Sequence, residues 1–268
     1  MGYFILFADL DGTLLDGKSQ IHPATRGAIG DAFDAGKQFA LCSGRSWRSL
    51  ERFERELGIA GAGRYGVAFN GGIVYEIESK RILLEQPMGN EIGFEVVKAL
   101  KEFGADILLY AGDTLYADVE SDENKNYSRH VNIPIRFTDD FFSVEGEIMK
   151  ILVKGENEKL KRVSSAMTEL FAGRCSVFFS ASTLIEFARP ETHKGSGIEF
   201  LANYLKIPMS GTIAIGDQAN DIEMIKAAGL GIAVSNAADE LKRAADVVLP
   251  VSNDEDAVGF AIKNYLLA

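Results

Sequence analysis

Cysteine is scarce in this sequence, since Cys42 and Cys175 are the two cysteines among 268 residues. Two cysteines are too few for the disulfide framework of a small secreted protein. Cys42 lies in an apolar, strand-like run, so we expect a buried free thiol there rather than a catalytic one. The shortage of cysteine therefore favours a reducing, cytoplasmic setting.

Long apolar runs are also missing. No stretch of the sequence approaches the ~20 apolar residues that a membrane-spanning helix needs. The first residues show neither the charged segment nor the cleavage site of a secretory signal. We therefore expect a soluble, cytoplasmic protein with no membrane partner.

Positive charge is in short supply, because 28 Lys and Arg residues stand against 39 Asp and Glu residues, a net charge of −11. Nucleic acids and anionic membranes are bound with surplus Lys and Arg, so neither is expected as a partner. A small phosphorylated metabolite needs only a few local donors and is compatible with this charge. The composition gives no information about the oligomeric state.

Short apolar runs alternate with helical patterns at both ends of the chain. This alternation is typical of an α/β fold with a parallel sheet and right-handed crossovers. The predicted strands are 4–8, 38–42, 65–69, 212–215, 230–234 and 247–249. The predicted helices are 24–35, 47–57, 194–205, 222–228, 237–244 and 256–267.

The pattern changes between residues 83 and 189, where hairpins mix with helices. The predicted elements there are hairpins at 107–117 and 175–187, a strand at 148–153, helices at 91–103 and 157–171, and either a short helix or a loop at 122–131. Such a mixture indicates an α+β unit. Its position predicts an insertion of residues 83–189 into a core domain made of residues 1–82 and 190–268.

The first predicted strand ends in two carboxylates, Asp9 and Asp11, which are one residue apart. Its apolar run is typical of a strand buried on both faces, and open α/β sheets bind ligands at the carboxyl ends of their strands. Two like charges so close together repel, and a divalent cation such as Mg²⁺ would relieve that repulsion. The alternative is a pair of acidic turn residues, because Asp-Gly also marks tight hairpins.

Further polar clusters lie at the ends of predicted buried elements, and the strand ends of one parallel sheet share an edge. Each cluster also has an ordinary interpretation: Ser43 can be a helix N-cap, Lys194 a surface lysine, and Asp221 a charge partner of a helix N-terminus. A cation is unfavourable where Lys194 opens a helix, so a compensating anion is expected nearby. The clusters are Ser43-Gly44, Asn70-Gly71, Lys194, and Asp217 with Asn220 and Asp221.

Taken together, these motifs resemble the haloacid dehalogenase (HAD) superfamily of Mg²⁺-dependent phosphatases, and within it the Cof-type subgroup of sugar-phosphate phosphatases. The resemblance covers residues 1–82 and 190–268, and the order of the motifs makes it specific. It implies a Rossmann-like parallel-sheet core with an inserted α+β cap that determines substrate specificity. The matching motifs are Asp9-Leu10-Asp11-Gly12-Thr13-Leu14, Ser43-Gly44-Arg45, Asn70-Gly71, Lys194-Gly195 and Gly216-Asp217-Gln218-Ala219-Asn220-Asp221.

The resemblance also implies roles for the motif residues in hydrolysing small phosphate monoesters, such as sugar phosphates. Asp9 would attack phosphorus and form an aspartyl-phosphate, and Asp11 would act as general acid and base. The phosphoryl group would be held by Ser43, Gly44 and Lys194, and other parts of the substrate by Asn70, Gly71, Arg45 and Asn220.

Mg²⁺ is the cofactor that the resemblance implies. Its protein ligands would be Asp9, the main-chain carbonyl of Asp11, and Asp217, all of them oxygen donors. Asp221 would orient a metal-bound water or Lys194 without contacting the metal itself.

Several other residues have weaker assignments. Thr13 is expected to support the turn that presents Asp11, whereas Arg45 either reaches the substrate or forms a surface ion pair. His22 is expected at a helix entry and His193 in a surface loop, with substrate contact as the alternative for His193. Trp47 packs on the core or lines the cleft. In the inserted block, contacts to the leaving group are predicted from position alone for Asp113, Asn124, Tyr127 and Arg129.

Two other functions compete with the phosphatase. The first is a phosphosugar mutase, because phosphomannomutases look similar at the first motif and share an inserted cap. The second is a non-catalytic phosphoester-binding protein, against which the complete set of acidic residues argues. Formation of an isomer that depends on a bisphosphate activator would identify the mutase, and failure to hydrolyse any ester would favour the binding protein.

Overall fold

The computed structural model describes residues 2–268, which divide into two compact units. The first unit contains the residues up to Glu85 together with His193–Ala268, and the second is Gln86–Thr192. Each bound of the second unit lies three residues later than the predicted bounds of 83 and 189. The role of the second unit as a cap stays a prediction.

The described residues contain fourteen strands and nine α-helices. The strands are β1 (Ile5–Ala8), β2 (Gln38–Cys42), β3 (Tyr65–Ala68), β4 (Ile73–Glu76), β5 (Ile82–Glu85), β6 (Asp106–Ala111), β7 (Thr114–Ala117), β8 (Ile135–Phe137), β9 (Ile148–Lys154), β10 (Ser176–Ala181), β11 (Leu184–Ala188), β12 (Thr212–Gly216), β13 (Leu230–Ala233) and β14 (Val247–Val248). The helices are α1 (Pro23–Asp34), α2 (Trp47–Leu57), α3 (Asn90–Glu102), α4 (Asp122–Val131), α5 (Asn157–Leu170), α6 (Lys194–Tyr204), α7 (Ile222–Ala227), α8 (Asp239–Ala244) and α9 (Ala257–Ala261).

The first unit is built on a sheet of eight strands in the order β14-β13-β12-β1-β2-β3-β4-β5. Pairing is parallel from β14 to β3, and β1 lies between β12 and β2. All four residues of β1 are buried, as expected for a strand inside a sheet that is covered on both faces. The predicted α/β fold with a parallel-sheet core is confirmed.

The sheet also continues through two antiparallel pairs, β3 with β4 and β4 with β5. These two strands were not among the predicted elements. The residues of β5 are exposed or half-buried, so the strand lacks the apolar run that marks a buried one. The parallel strands nevertheless carry the polar clusters at their carboxyl ends.

Helix α2 illustrates how the sequence sets the ends of an element. The Ser46 hydroxyl caps the first turn by accepting a hydrogen bond from the Ser49 N–H. Gly58 ends the helix in the left-handed region at φ 75°. Phe53 and Leu57 are buried and four residues apart, so they face the core together.

The second unit has a sheet of six strands in the order β10-β11-β9-β6-β7-β8, antiparallel except between β7 and β8. Its apolar core joins alternate strand residues such as Leu109 and Ile151 to Leu100 of α3 and Leu160 of α5. Alternate strand residues share one face, so α3 and α5 pack on the same face of this sheet. The predicted α+β character of the block agrees with these elements.

Residues 122–131 form a helix, which settles the choice between helix and loop. The Ser121 hydroxyl caps α4 at its start, and Asn132 ends it at φ 54°. Between residues 2 and 268, no helix is long and apolar enough to cross a membrane.

Candidate active site at the carboxyl edge of the parallel sheet

Three buried carboxyl groups meet where β1 and β12 end. Asp9 follows β1 directly, and its N–H continues the ladder by donating to the Ile215 carbonyl at 3.0 Å. Asp217 follows β12, the parallel neighbour of β1, and Asp221 lies four residues further. One oxygen from each of Asp9, Asp217 and Asp221 lies within 4.8 Å of the other two. The adjacency of the two strands thus brings together residues that are more than 200 positions apart.

Lys194 is the cation of this cluster. It is the first residue of α6 and is completely buried. Its Nζ donates to Asp9 Oδ1 and to Asp221 Oδ1, each at 2.5 Å. Burial disfavours the charged amine, but the charges of Asp221 and Asp9 outweigh burial and hold the pKa of Lys194 above its ordinary value. The anion expected beside Lys194 is therefore present, and the surface-lysine interpretation is wrong.

Lys194 offsets only part of the effect that burial and mutual repulsion have on the carboxyl groups of this cluster. Burial and then the charge of Asp221 raise the pKa of Asp9, and Lys194 offsets these effects only in part. Burial and Asp221 likewise raise the pKa of Asp217. Three clustered carboxyls beside the ammonium of Lys194 suit a divalent cation, which would favour their ionised forms. Asp9 and Asp217 fit Mg²⁺ by charge and by oxygen chemistry.

Asp221 and Thr13 orient the members of this cluster. The second oxygen of Asp221, Oδ2, accepts the backbone N–H groups of Asp217 at 2.9 Å and of Gln218 at 3.0 Å. The Thr13 hydroxyl donates to Asp217 Oδ1 at 2.9 Å. Thr13 therefore ties the turn after β1 to Asp217, a contact that the sequence did not predict.

Asp11 stands apart from the buried group. Its side chain is 52% exposed and forms a two-point ion pair with Arg45, whose Nε and Nη2 donate at 2.8 and 2.7 Å. Such paired geometry fixes a carboxylate in both position and plane. Of the two interpretations of Arg45, the ion pair is the one the structure shows, and its partner is the predicted general acid and base.

Ser43 is not a helix cap, since Ser46 occupies that position at the start of α2. Ser43 is buried, and its hydroxyl accepts the Arg45 N–H at 3.2 Å. Its carbonyl accepts the Asn70 N–H at 3.0 Å. The ends of β2 and β3 are thereby joined through Ser43 and Asn70.

The motifs after β3 and β12 also contact each other. Asn70 has a φ of 53°, a left-handed conformation that Asn tolerates, and its Oδ1 accepts from Asn220 Nδ2 at 3.3 Å. A Cβ on Gly44 would lie 3.0 Å from this same Oδ1. Gly71 packs against the start of α6, because a Cβ there would lie 2.3 Å from the His193 carbonyl oxygen. The structure thus gives Gly71 a packing role, and substrate contact by Asn70, Gly71 and Asn220 stays a prediction.

The two histidines that were singled out serve as helix caps. His193 Nδ1 accepts the Ser196 N–H at 3.1 Å at the start of α6, and His22 Nδ1 accepts the Ala24 N–H at 3.2 Å at the start of α1. His193 therefore aligns the helix that carries Lys194 rather than lying in a free loop. Trp47 contacts Tyr75 with ring centroids 6.0 Å apart.

One assignment in the second unit is wrong. Asn124 is completely buried, its amide donates to Asp106 and to the Val119 carbonyl, and its Oδ1 accepts from Lys154. All of its polar atoms are used inside the unit, so it does not offer them to a leaving group. Tyr127 lies with its hydroxyl 3.1 Å from that of Tyr110.

Comparison with known proteins shows which family the chain resembles. A family model described as haloacid dehalogenase-like hydrolase matches residues 6–262. A structure titled as a haloacid dehalogenase-like hydrolase from Bacteroides thetaiotaomicron superposes with a TM-score of 0.89 and 30% identity, covering 97% of this chain and 98% of that one.

Two relatives by sequence carry different names. "Endoribonuclease YBEY, chloroplastic" of Arabidopsis thaliana is 30% identical over 97% of this chain, which spans 46% of that protein's length. "5-amino-6-(5-phospho-D-ribitylamino)uracil phosphatase YwtE" of Bacillus subtilis (strain 168) is 28% identical over 96% of both chains.

Proposed function

The chain belongs to the haloacid dehalogenase-like hydrolase family, and on that basis we propose that it is a Mg²⁺-dependent phosphatase that hydrolyses small phosphate monoesters through an aspartyl-phosphate on Asp9. Family membership bears out both the resemblance and the predicted phosphatase class of enzyme. One observation carries the proposal, namely the buried carboxyl of Asp9 held at 2.5 Å by Lys194 within the group of Asp9, Asp217 and Asp221.

The first half of the reaction is attack by Asp9. A carboxylate oxygen of Asp9 forms a bond to phosphorus while the bond to the ester oxygen breaks, and Asp11 gives a proton to the departing alkoxide. Lys194 holds the attacking carboxylate in place, and its ammonium balances part of the negative charge.

The second half regenerates the enzyme. Asp11, now a carboxylate, accepts a proton from water as the water oxygen attacks phosphorus, and the phosphorus–Asp9 bond breaks to release inorganic phosphate. General acid and base catalysis of this kind contributes ~10²–10⁴ in rate. The ion pair with Arg45 is compatible with the carboxylate form of Asp11 that this step uses.

Mg²⁺ would be held by Asp9, Asp217 and the main-chain carbonyl of Asp11. When bound, it supplies charge that screens the repulsion between the attacking carboxylate and the phosphoryl group. Asp221 accepts the backbone N–H of Asp217, which keeps Asp217 aligned, and it also accepts a hydrogen bond from Lys194. Ser43 and Gly44 would add phosphoryl contacts from the end of β2.

The substrate that we propose is a phosphorylated sugar or a related small metabolite. The motif residues address only the phosphoryl group, so the rest of the ester must be selected elsewhere. We assign that selection to the second unit, Gln86–Thr192, acting as a cap. A cytoplasmic location stays a prediction from the composition.

The test is a screen of purified protein against sugar phosphates, nucleotides and cofactor phosphates, with release of inorganic phosphate as the readout. We expect turnover of some sugar phosphates with Mg²⁺, loss of turnover with chelator, and recovery when Mg²⁺ is restored. Asp9→Asn should remove turnover and leave the circular dichroism and melting temperature close to those of the wild type.

Three results would contradict parts of this proposal. Activity of Asp9→Asn at the wild-type level would exclude the aspartyl-phosphate. Full activity after stripping of metal would exclude the Mg²⁺ assignment. Isomer formation that requires a bisphosphate activator, without phosphate release, would identify the mutase instead.

A further inference from the structure

The turn that carries Asp11 is a short hairpin built on its own hydrogen bonds. The N–H groups of Leu14 and Leu15 both donate to the Leu10 carbonyl, at 3.1 and 2.9 Å. Leu15 then bridges to Ile21 in antiparallel fashion. We call the segment 11–21 the flap. These internal bonds leave the Gly12 and Leu15 carbonyls to partners elsewhere in the chain.

Those two carbonyls are bound by asparagines from loops that none of the recognised motifs includes. Asn236 Nδ2 donates to the Gly12 carbonyl at 2.8 Å across 224 residues of sequence. Asn253 Nδ2 donates to the Leu15 carbonyl at 2.8 Å across 238 residues. Asn236 lies in the loop after β13, and Asn253 is the first residue of a 3₁₀ turn, Asn253–Glu255, after β14.

The two asparagines are also joined to each other. The Asn253 N–H donates to Asn236 Oδ1 at 3.0 Å. Because that oxygen accepts from a backbone N–H, the amide of Asn236 is oriented with its Nδ2 toward Gly12. The neighbouring Asp254 extends the contact by accepting the Gly17 N–H at 2.7 Å. The two segments after β13 and β14 thus bind the flap at Gly12, Leu15 and Gly17.

Gly12 is the flap residue at which these hydrogen bonds restrict the backbone most. Its φ of 82° is a conformation that glycine adopts without steric cost, so the peptide after it is free to rotate unless something holds it. Asn236 holds the carbonyl of that peptide, and the Thr13 hydroxyl holds the following residue on Asp217. Asp11 is covalently attached on the other side of Gly12.

We propose that Asn236, supported by Asn253, is a positioning residue that fixes the flap so that Asp11 can transfer a proton to the leaving group. This inference rests on the proposed function. Neither asparagine needs to touch substrate, because each acts through backbone carbonyls of the flap. Misplacement of a catalytic group by ~1 Å can cost on the order of 10² in rate, so loosening of the flap would reduce proton transfer first.

The kinetic test compares two phosphate esters whose leaving groups differ in basicity. An alkyl phosphate, here a hexose phosphate that the wild type hydrolyses, needs a proton on its leaving oxygen. p-Nitrophenyl phosphate releases a stabilised phenolate and needs little proton donation. For Asn236→Ala we expect a loss of kcat/KM on the order of tenfold for the alkyl ester and a much smaller loss for the aryl ester. The comparison uses kcat/KM because it reports the steps up to departure of the leaving group, and not the later hydrolysis of the aspartyl-phosphate that both esters share.

The matched control is Asn264→Ala. Asn264 Nδ2 donates to the Phe260 carbonyl at 2.9 Å, so this variant removes the same kind of bond in the same unit away from the flap. It should keep the wild-type kcat/KM for both esters. Asn253→Ala should act as Asn236→Ala does but more weakly, because the backbone N–H that orients Asn236 remains.

A second readout does not depend on turnover. Hydrogen exchange of the amides in residues 12–21 should be about fivefold faster in Asn236→Ala than in the wild type, corresponding to loss of one net hydrogen bond. Equal losses of kcat/KM on both esters, or unchanged exchange in the flap, would overturn the inference. A wild type that hydrolyses no ester of the screen would instead refute the proposed function, while the exchange rates would still test whether the asparagines hold the flap.

Discussion

Lys194 Nζ and Asp221 Oδ1 lie 2.5 Å apart, and both side chains are completely buried. The arrangement explains why a lysine opens α6, where the helix dipole disfavours a cation. Asp221 itself is fixed by the N–H groups of Asp217 and Gln218 on its other oxygen. Lys194 therefore binds the fixed carboxylate of Asp221 and contacts Asp9 at the same time.

Replacing Lys194 with Met tests this arrangement. The variant would leave Asp9 and Asp221 buried without their shared cation, and breaking a buried ion pair in this way costs about 3–5 kcal/mol. We expect the free energy of unfolding, measured by urea denaturation, to fall by about that amount, and phosphatase activity to disappear. Adding Asp221→Asn to Lys194→Met should restore part of the stability, because one uncompensated charge is removed.

The control for this experiment is Lys226→Met, which removes a lysine that is 58% exposed and pairs with Glu223 at 3.7 Å. Its unfolding free energy should stay within about 0.5 kcal/mol of the wild type. A loss in Lys194→Met no larger than in this control would show that the buried cluster does not depend on the cation.

Thr13 offers a separate test of the metal assignment. Its buried hydroxyl orients Asp217, and partners that orient a metal ligand typically influence affinity by about 10–100-fold. Thr13→Val keeps the shape and removes the hydroxyl, so we expect Mg²⁺ affinity to fall on the order of tenfold. The affinity can be measured from the rise of melting temperature with Mg²⁺ concentration.

Thr25→Val is the matched variant, because the hydroxyl of the equally buried Thr25 also donates to an aspartate, Asp256, in the same unit. It should lose some stability and keep the wild-type response to Mg²⁺. If both variants respond to Mg²⁺ as the wild type does, the Thr13 hydroxyl makes no contribution to Mg²⁺ binding.

The sequence predicted those features that have a local cause. β2 and α2 were predicted with the bounds that the structure shows, because an apolar run and a spaced apolar face each determine burial over a few residues. β5 was missed because its side chains are half-buried or exposed, and β8 because it has only three residues.

The candidate site likewise contains residues whose placement has a local cause and contacts that depend on distant parts of the chain. Asp9 and Asp217 were predicted because each follows a recognisable strand, whereas Lys194 was assigned to the site through the family resemblance. The bond between Thr13 and Asp217 spans 204 residues, and that between Asn236 and Gly12 spans 224. An asparagine in an exposed loop leaves no periodic signal, so such tertiary hydrogen bonds are visible only once the loops are placed in space.

Glu54 provides a prediction about pH. It is a buried residue of α2 whose carboxyl accepts a hydrogen bond from the Tyr75 hydroxyl, with Glu51, Arg55 and Lys80 as its charged neighbours. Burial raises its pKa to about 7, and the bond from Tyr75 offsets only part of that rise. Glu54 is therefore protonated in the folded protein at acidic pH.

The pKa of Glu54 is higher in the folded protein than in the unfolded chain. The stability that protonation of Glu54 contributes is therefore fully present below the unfolded pKa, and it is lost as the pH rises through about 7. Glu54→Gln stays neutral, so its unfolding free energy relative to the wild type should increase between pH 5 and pH 8 by up to about 3 kcal/mol. Urea denaturation at both pH values measures this difference. Glu56→Gln, an exposed change on the same helix, should show no such trend, and a flat difference for Glu54→Gln would contradict the burial argument.

Gly12 yields the most specific prediction about the turn after β1. A Cβ at this position would lie 2.5 Å from Asp217 Oδ2, and the φ of 82° disfavours any other residue type. Gly12→Ala should therefore displace Asp217, lower Mg²⁺ affinity and reduce kcat by on the order of 10², beyond a backbone strain of about 1–2 kcal/mol.

Gly36→Ala separates these two effects. Gly36 has a similar φ of 72°, yet a Cβ at this position would have no atom from the described part of the chain within 4 Å. This variant should lose about 1–2 kcal/mol of stability from strain alone and keep the wild-type kcat and Mg²⁺ response. Equal kinetic losses in the two variants would mean that strain, and not contact with Asp217, determines the need for glycine at position 12.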